Sequence, residues 1–190
     1  MAEPYNRSLA LARLVAAYAL VAVMLALARP TPWHVAAGAI FVIAGEALRV
    51  WSAGHLIKNE MLVTSGPYRY TRNPLYLGRL LIFSGLCVMA RLPYGASWLI
   101  LLGGWAIFFG YYLPRKERVE PDRLRQLYGD AYERYYREVP ALLPVRGAWN
   151  RGAAGRWSAA RARHNREHWM VVGLAAVVAF LLWRAYLVAV

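Results

Sequence analysis

A polar turn at residues 66–78 carries the side chains of this chain that are best suited to chemistry. It contains three Tyr, two Arg, two Pro and two Gly, and it runs directly into an apolar segment. Holding so many cations and phenols at the edge of a bilayer is costly unless they bind something. The turn therefore indicates a ligand-binding or active site at a membrane surface. An interfacial belt of aromatic rings and headgroup-binding arginines is the alternative.

The composition indicates a membrane protein. Hydrophobic residues make up 59% of the 190 residues, which is more than a soluble domain of this size can bury. The formal net charge is +13, and such a balance suits either nucleic acid or an anionic membrane face. Because apolar runs lie on both sides of the charges, we expect a membrane surface and no nucleic-acid partner.

Five apolar segments predict an all-α, polytopic integral membrane protein. Four lie at about 8–28, 33–51, 74–90 and 94–113, and an additional helix is predicted at 168–190. Arginines concentrate after the second and fourth segments, which predicts a cytoplasmic N-terminus. The Arg-rich, Lys-poor composition favours a bacterial inner membrane. The first segment also resembles a signal peptide, although its apolar run is longer than a typical signal core.

Two polar segments follow the fourth apolar segment. Residues 121–138 show helical periodicity with a tyrosine-rich face, which predicts a cytoplasmic amphipathic helix that starts at Pro121 and is interrupted by Gly129. This helix lies in the headgroup plane, packs over the 66–78 turn as a lid, or does both. The Arg-rich stretch at 146–166 predicts a solvated linker, extending to residue 167, that attracts anionic lipids.

Two motifs in the chain resemble the superfamily of isoprenylcysteine carboxyl methyltransferases and phospholipid methyltransferases. The first motif occupies residues 62–78, and Leu48-Arg49 upstream also fits. The second motif comprises Glu120, Leu124, Gly129, Tyr132, Tyr135 and Pro140. The resemblance covers roughly residues 35–145 and implies a membrane methyltransferase domain over 1–145.

The chain departs from the family pattern at two positions. Asn73 stands where the family usually has His in its Arg-His-Pro sequence. Pro121 replaces the second Glu of the family's Glu pair, and Glu117 is a candidate substitute one helical turn earlier. Both positions are implied to touch the methyl donor or the acceptor.

The resemblance implies S-adenosylmethionine as the methyl donor. Arg72 is suited to clamp its carboxylate, and Glu120 or Glu117 to bind its amino group or ribose. Tyrosine rings suit its adenine and its sulfonium cation. The implied catalytic residues are Arg72, Asn73, Tyr76 and Glu120. The implied donor-binding residues are Gly66, Tyr68, Arg72, Asn73, Pro74, Tyr76, Gly78, Glu117, Glu120, Tyr132 and Tyr135.

The implied acceptor is lipophilic and enters from the bilayer as a prenylcysteine-like thioether carboxylate, a lipid amine or a hydrophobic thiol. A carboxylate or thiolate needs only alignment and dehydration, whereas an amine must first lose a proton. Asn73 cannot act as a base, which favours an acceptor that arrives as an anion. The acceptor-side candidates are Glu46, Arg49, His55 and Arg79. The alternatives are a local Glu46–Arg49 ion pair and a structural His55.

Two other functions fit parts of the sequence. A non-enzymatic membrane scaffold or small transporter would use the basic linker to hold partners or lipid, and it would tolerate Arg72→Ala. Membrane sterol-type reductases share a related C-terminal half, but they are expected to be longer and to bind a nicotinamide. No metal site is predicted, because His164 and His168 beside Glu167 lie among many arginines.

Overall fold

A computed structural model describes residues 7–57, 61–149 and 155–189. Regular secondary structure within these residues is helical throughout, which confirms the all-α prediction. The α-helices are α1 (Arg7–Leu27), α2 (Pro32–His55), α3 (Pro74–Ala90), α4 (Ala96–Ile107), α5 (Leu113–Glu138), α6 (Ala159–His164) and α7 (Glu167–Ala189). A π-helical turn at Phe108–Tyr112 joins α4 to α5 without a break.

Three helices in the described part of the chain are long and apolar enough to cross a membrane. They are α2, the continuous α4–α5 helix at Pro93–Glu138, and α7 over Glu167–Leu187. Helix α3 is apolar but shorter, with 17 residues. Helix α1 has 21 residues and occupies the first predicted segment. The chain is thus a helical integral membrane protein, and the count of five spans and their orientation stay predictions.

Prolines mark the starts of the two helices that flank the 66–78 turn. Helix α2 begins at Pro32 and α3 at Pro74, where a missing backbone N–H costs nothing because no carbonyl is available to accept from it. Helix α3 ends at Ala90, and Arg91 follows with a left-handed backbone at φ 41°. Pro74 at the start and the left-handed residue after the end limit α3 to 17 residues.

Helices α2 and α3 pack backbone to backbone through glycines. A Cβ atom on Gly78 would lie 2.7 Å from the Gly45 carbonyl oxygen, and one on Gly85 would lie 2.6 Å from that of Gly38. Small residues permit this close approach between membrane helices. The contact fixes the end of α2 against the start of α3, which is where the predicted site residues lie.

Helix α5 begins earlier than the sequence indicates. The amphipathic helix was expected to start at Pro121, but α5 runs from Leu113 and contains Pro121 in its interior. It needs no separate start because it continues directly from the membrane helix through the π-helical turn. Gly129 interrupts α5 as predicted, with φ 51° and ψ −132°, a conformation that glycine adopts without a steric penalty.

The segment after α5 is not simply a solvated linker. Within the described residues 155–167, the Trp157 indole nitrogen donates to the Val50 carbonyl at 3.2 Å. The Asn165 amide donates to the Ala53 carbonyl at 3.0 Å. A tryptophan and an asparagine therefore dock this segment on the end of α2. The prediction of a solvated linker was based on the arginines of this segment. Arg163, for example, is exposed as expected, but the docking residues are not arginines.

Helix α7 runs back along the bundle from this docking point. Its first residue, Glu167, bonds to Arg49 near the end of α2. Near its other end, Arg184 donates to the backbone carbonyls of Leu25 and Ala26 at 3.3 and 2.8 Å. The C-terminal helix is thereby attached at both ends of the bundle.

Candidate functional site

A cavity of about 510 Å³ lies where the 66–78 turn, α5 and the ends of α2 and α7 meet. Its volume falls in the range of roughly 300–1,000 Å³ that ligand pockets occupy. Most of the candidate residues line it: Arg49, Tyr68, Arg72, Asn73, Pro74, Tyr76, Arg79, Glu117, Glu120, Tyr132 and Tyr135. The structure thus brings the two motifs together around one space.

The end of α5 lies over the 66–78 turn as a lid. The Tyr135 hydroxyl donates to the Tyr68 backbone carbonyl at 2.8 Å. The Arg72 backbone N–H donates to the Pro140 carbonyl at 2.9 Å, just past the end of the helix. The predicted packing of this helix over the turn is therefore present in the structure, and its position relative to the headgroups stays a prediction.

Asn73 and Arg72 are held by the protein itself. The Asn73 amide nitrogen donates to Glu117 Oε1 and to the Ala141 carbonyl, each at 2.8 Å, while Lys116 donates to its oxygen. Arg72 donates to Glu117 Oε2, and its guanidinium lies 3.7 Å from the centroid of a tyrosine ring of α5. A network already partnered in this way is suited to shaping the cavity wall.

Arg72 therefore has little freedom to clamp a ligand. Besides Glu117, it donates to the Tyr136 backbone carbonyl, and its guanidinium stacks on the Tyr136 ring. The sequence led us to expect an Arg72 guanidinium that is free to bind a ligand carboxylate through two hydrogen bonds, whereas here protein groups occupy it. The sequence did not indicate this contact because Glu117 lies 45 residues after Arg72, and motif spacing does not show which distant residues meet.

Glu120 and Tyr76 are more accessible. The Glu120 side chain is 47% exposed and pairs with Lys116 one helical turn earlier. The Lys116 ammonium lies 4.3 Å from the centroid of the Tyr76 ring. Tyr76 also lies beside Tyr112, with ring centroids 5.6 Å apart. The partly exposed Glu120 carboxylate is thus within reach of a bound molecule in this part of the cavity.

The Tyr68 hydroxyl is buried and lines the cavity without a hydrogen-bond partner among the described residues. Burial raises the pKa of this phenol well above its usual value, so the group stays protonated at neutral pH and can donate. Buried polar groups are rarely left unpaired in native proteins. The hydroxyl therefore marks a place where a ligand atom can accept a hydrogen bond.

The remaining candidates support the site from behind. Gly66, at φ 59°, packs against the His55 ring, whose Nδ1 lies 3.0 Å from the Ser65 hydroxyl. Gly78 packs on the Arg49 side chain. Glu46 Oε2 lies 3.6 Å from Arg49 Nε. These residues brace the turn and the end of α2, and only Arg49 among them faces the cavity.

Several residues that line the cavity were not among the candidates, and Lys116 and Glu167 are the two of them that bond to candidate residues. Lys116 is four residues before Glu120, a helical spacing that could have indicated a pair. Glu167 comes from the C-terminal segment and bonds to Arg49, 118 residues away, so no local pattern indicated it. No cluster of three or more metal-ligating side chains occurs in the parts of the chain that the structure describes.

Comparisons with known proteins identify relatives for the central part of the chain. The family model described as "Phospholipid methyltransferase" matches residues 33–131. The "Protein-S-isoprenylcysteine O-methyltransferase" of Homo sapiens is 31% identical over 127 residues, which cover 59% of this chain and 42% of that protein. The protein of the same name in Rattus norvegicus is 32% identical over 126 residues, with the same coverage.

A bacterial relative is also similar. The "Cobalt-zinc-cadmium resistance protein CzcN" of Cupriavidus metallidurans is 32% identical over 116 residues, covering 60% of this chain and 50% of that protein. The chain thus spans half or less of the length of these curated relatives. No solved structure shows significant similarity to it. Because the family model matches more than half of the chain, the protein belongs to the phospholipid methyltransferase family, within the superfamily that includes the isoprenylcysteine methyltransferases.

Proposed function

We propose that this protein is an S-adenosylmethionine-dependent methyltransferase that acts on a lipophilic acceptor at the cytoplasmic face of a bacterial inner membrane. The observation that supports this best is the single cavity in which both motifs meet at the ends of apolar helices. Membership of the phospholipid methyltransferase family is consistent with the same activity.

The residues present in the cavity fit the donor. When bound, S-adenosylmethionine supplies an electrophilic methyl group on a sulfonium sulfur. Glu120 offers a carboxylate to an amino group or a ribose, and Tyr68 offers an unpartnered donor. Tyr76 and the buried Tyr132 contribute aromatic side chains to the cavity wall, which suit contact with adenine. Arg72, Asn73 and Glu117 would position these groups by keeping the cavity wall rigid.

The acceptor is proposed to be lipophilic because part of the cavity wall is apolar. The apolar residues that line it include Leu56, Ile57, Leu62, Val63, Leu75, Leu124 and Leu127. They suit a hydrocarbon chain that enters between the helices, while the polar residues hold its reactive end. Alignment of the two reactants and exclusion of water would then be the main contributions of this chain to catalysis.

Isothermal titration with S-adenosylhomocysteine tests the donor site. We expect micromolar binding to the detergent-purified protein and at least tenfold weaker binding to Glu120→Gln, which removes a charge without changing the side-chain shape. Glu133→Gln is the matched control, because Glu133 pairs with Arg125 and Arg137 on the exposed face of α5.

Two results would contradict the proposal. If the folded wild type did not bind S-adenosylhomocysteine, the donor site would be wrong and the alternative of a membrane scaffold would gain support. If Glu120→Gln and Glu133→Gln both bound S-adenosylhomocysteine as tightly as the wild type does, Glu120 would not contact the donor and the proposed arrangement would be wrong. Arg72→Ala is less informative, because Arg72 bonds to groups of the protein on two sides.

A further inference from the structure

The C-terminal segment places a carboxylate in the wall of the cavity. Glu167, the first residue of α7, is 6% exposed, and Arg49 on α2 is 4% exposed. Arg49 Nη2 donates to Glu167 Oε1 at 2.8 Å and to Oε2 at 2.7 Å. Glu167 lies outside residues 33–131, the part of the chain that matches the family model. The counter-ion of Arg49 thus comes from outside the matched region.

Arg49 keeps some hydrogen-bonding capacity after this pairing. Its Nε and Nη1 atoms are buried and have no hydrogen-bond partner among the described residues. The nearest other carboxylate is Glu46, with Oε2 at 3.6 Å from Nε. Arg49 can therefore still donate to a ligand atom in the cavity, although its charge is already neutralised by Glu167.

The charge balance at this position disfavours an anionic ligand. A carboxylate that came to Arg49 would lose its hydration, and it would meet Glu167 and Glu46 as well as the guanidinium. Burying a charge without a free counter-ion is costly. An ester or amide carbonyl accepts a hydrogen bond from Nη1 without that cost.

We propose that Glu167 is a specificity-determining residue, which occupies Arg49 so that the acceptor subsite takes an uncharged polar group and rejects a carboxylate. The proposal rests on the proposed methyltransferase function. It reverses the expectation from Asn73 that the acceptor arrives as an anion. The proposal concerns Glu167 and its segment, and the donor residues of the two motifs are unaffected.

Two probes that differ only in charge test the proposal. They are N-acetyl-S-farnesylcysteine and its carboxamide, titrated into the detergent-purified full chain with and without S-adenosylhomocysteine. We expect the wild type to bind the amide at least tenfold more tightly than the acid. Glu167→Gln should bind the acid at least tenfold more tightly than the wild type does, with the amide affinity changed less than twofold.

Control variants separate charge from shape. Glu167→Asp keeps the charge and is expected to keep the wild-type preference for the amide. Glu133→Gln removes a carboxylate from an arginine pair outside the cavity and should leave both affinities unchanged. If Glu167→Gln does not fold, as judged by loss of a cooperative thermal transition, the ratio of the two affinities in the wild type decides the question.

The proposal is overturned if the wild type binds the acid as tightly as the amide, or more tightly. It is equally overturned if the affinity of folded Glu167→Gln for the acid equals that of the wild type, or if neither protein binds either probe. Failure of the wild type to bind S-adenosylhomocysteine would instead count against the proposed function, because the ratio of acid to amide binding is measured without it as well.

Discussion

The side-chain amide of Asn73 donates a hydrogen bond to Glu117 Oε1 at 2.8 Å and so joins the start of α3 to α5. The same amide donates to the Ala141 carbonyl, and Lys116 donates to its oxygen. The residue that replaces the usual histidine of the family therefore connects three parts of the chain. Its position accounts for an amide here, because an amide both donates and accepts hydrogen bonds at every pH at which the protein works.

Asn73→Ala should destabilise the protein. The change removes three partly buried hydrogen bonds, which we expect to lower the free energy of unfolding by about 2–3 kcal/mol. Unfolding in detergent, followed by tryptophan fluorescence, measures it. Gln126→Ala, which removes an exposed amide from α5, is the control. An Asn73→Ala protein as stable as this control would show that the network is not needed for the fold.

Tyr68→Phe should separate ligand binding from stability. Removing an unpartnered buried hydroxyl should leave the unfolding free energy unchanged or raise it by up to about 1 kcal/mol. Affinity for S-adenosylhomocysteine should fall about tenfold, or about 1.4 kcal/mol, if this hydroxyl donates to the ligand. Titration calorimetry and thermal unfolding of the same preparation test both statements. Unchanged affinity in Tyr68→Phe would mean that the methyl donor binds elsewhere in the cavity.

The protonation of Tyr68 also predicts a pH dependence. Burial raises the pKa of this phenol above its usual value of about 10, so the neutral form is favoured in the folded protein. The contribution of the hydroxyl is therefore present below pH 10 and lost only as the pH rises through the raised pKa. The ratio of wild-type to Tyr68→Phe affinities should stay constant between pH 7 and 9. A ratio that fell over this interval would mean that the phenol ionises there.

Gly78→Ala should weaken the packing of α2 on α3. The added methyl group would lie 2.6 Å from Arg49 Cγ and 2.7 Å from the Gly45 carbonyl oxygen, and the backbone atom cannot move aside without shifting a helix. We expect a loss of about 2 kcal/mol in stability. Gly103→Ala is the matched control, since a methyl group there meets nothing within 4 Å. Equal thermal stability of the two variants would argue against the close helix contact.

Trp157→Ala should loosen the C-terminal segment. The Trp157 ring packs on Gly54 and its indole nitrogen donates to the Val50 carbonyl, so its loss removes both an apolar contact and a hydrogen bond before α6. We expect trypsin to cleave at Arg161 and Arg163 at least fivefold faster than in the wild type, because cleavage follows local opening. Trp33→Ala, at a position 83% exposed, should leave the cleavage rate unchanged. Equal cleavage in both variants would mean that Trp157 does not hold the segment.

Local patterns predicted the helices well where a single physical cause dominates. Long apolar runs required helices, since a backbone in hydrocarbon must satisfy its own hydrogen bonds. The predicted third segment, 74–90, coincides with α3, because Pro74 begins a helix and the chain turns after Ala90. The start of α5 was missed. Pro121 resembles a helix start, but the helix that contains it begins upstream, in the membrane segment.

By itself, the sequence determined the helical membrane class, the family and most of the polar side chains around the cavity, because periodicity and motif spacing are local properties of the chain. Only the tertiary structure decided how those side chains are used. It pairs Arg72 with Glu117 and brings Glu167 to Arg49 across 118 residues. A buried charge takes whichever counter-ion the packing of the helices brings within reach, and no spacing along the chain specifies that partner.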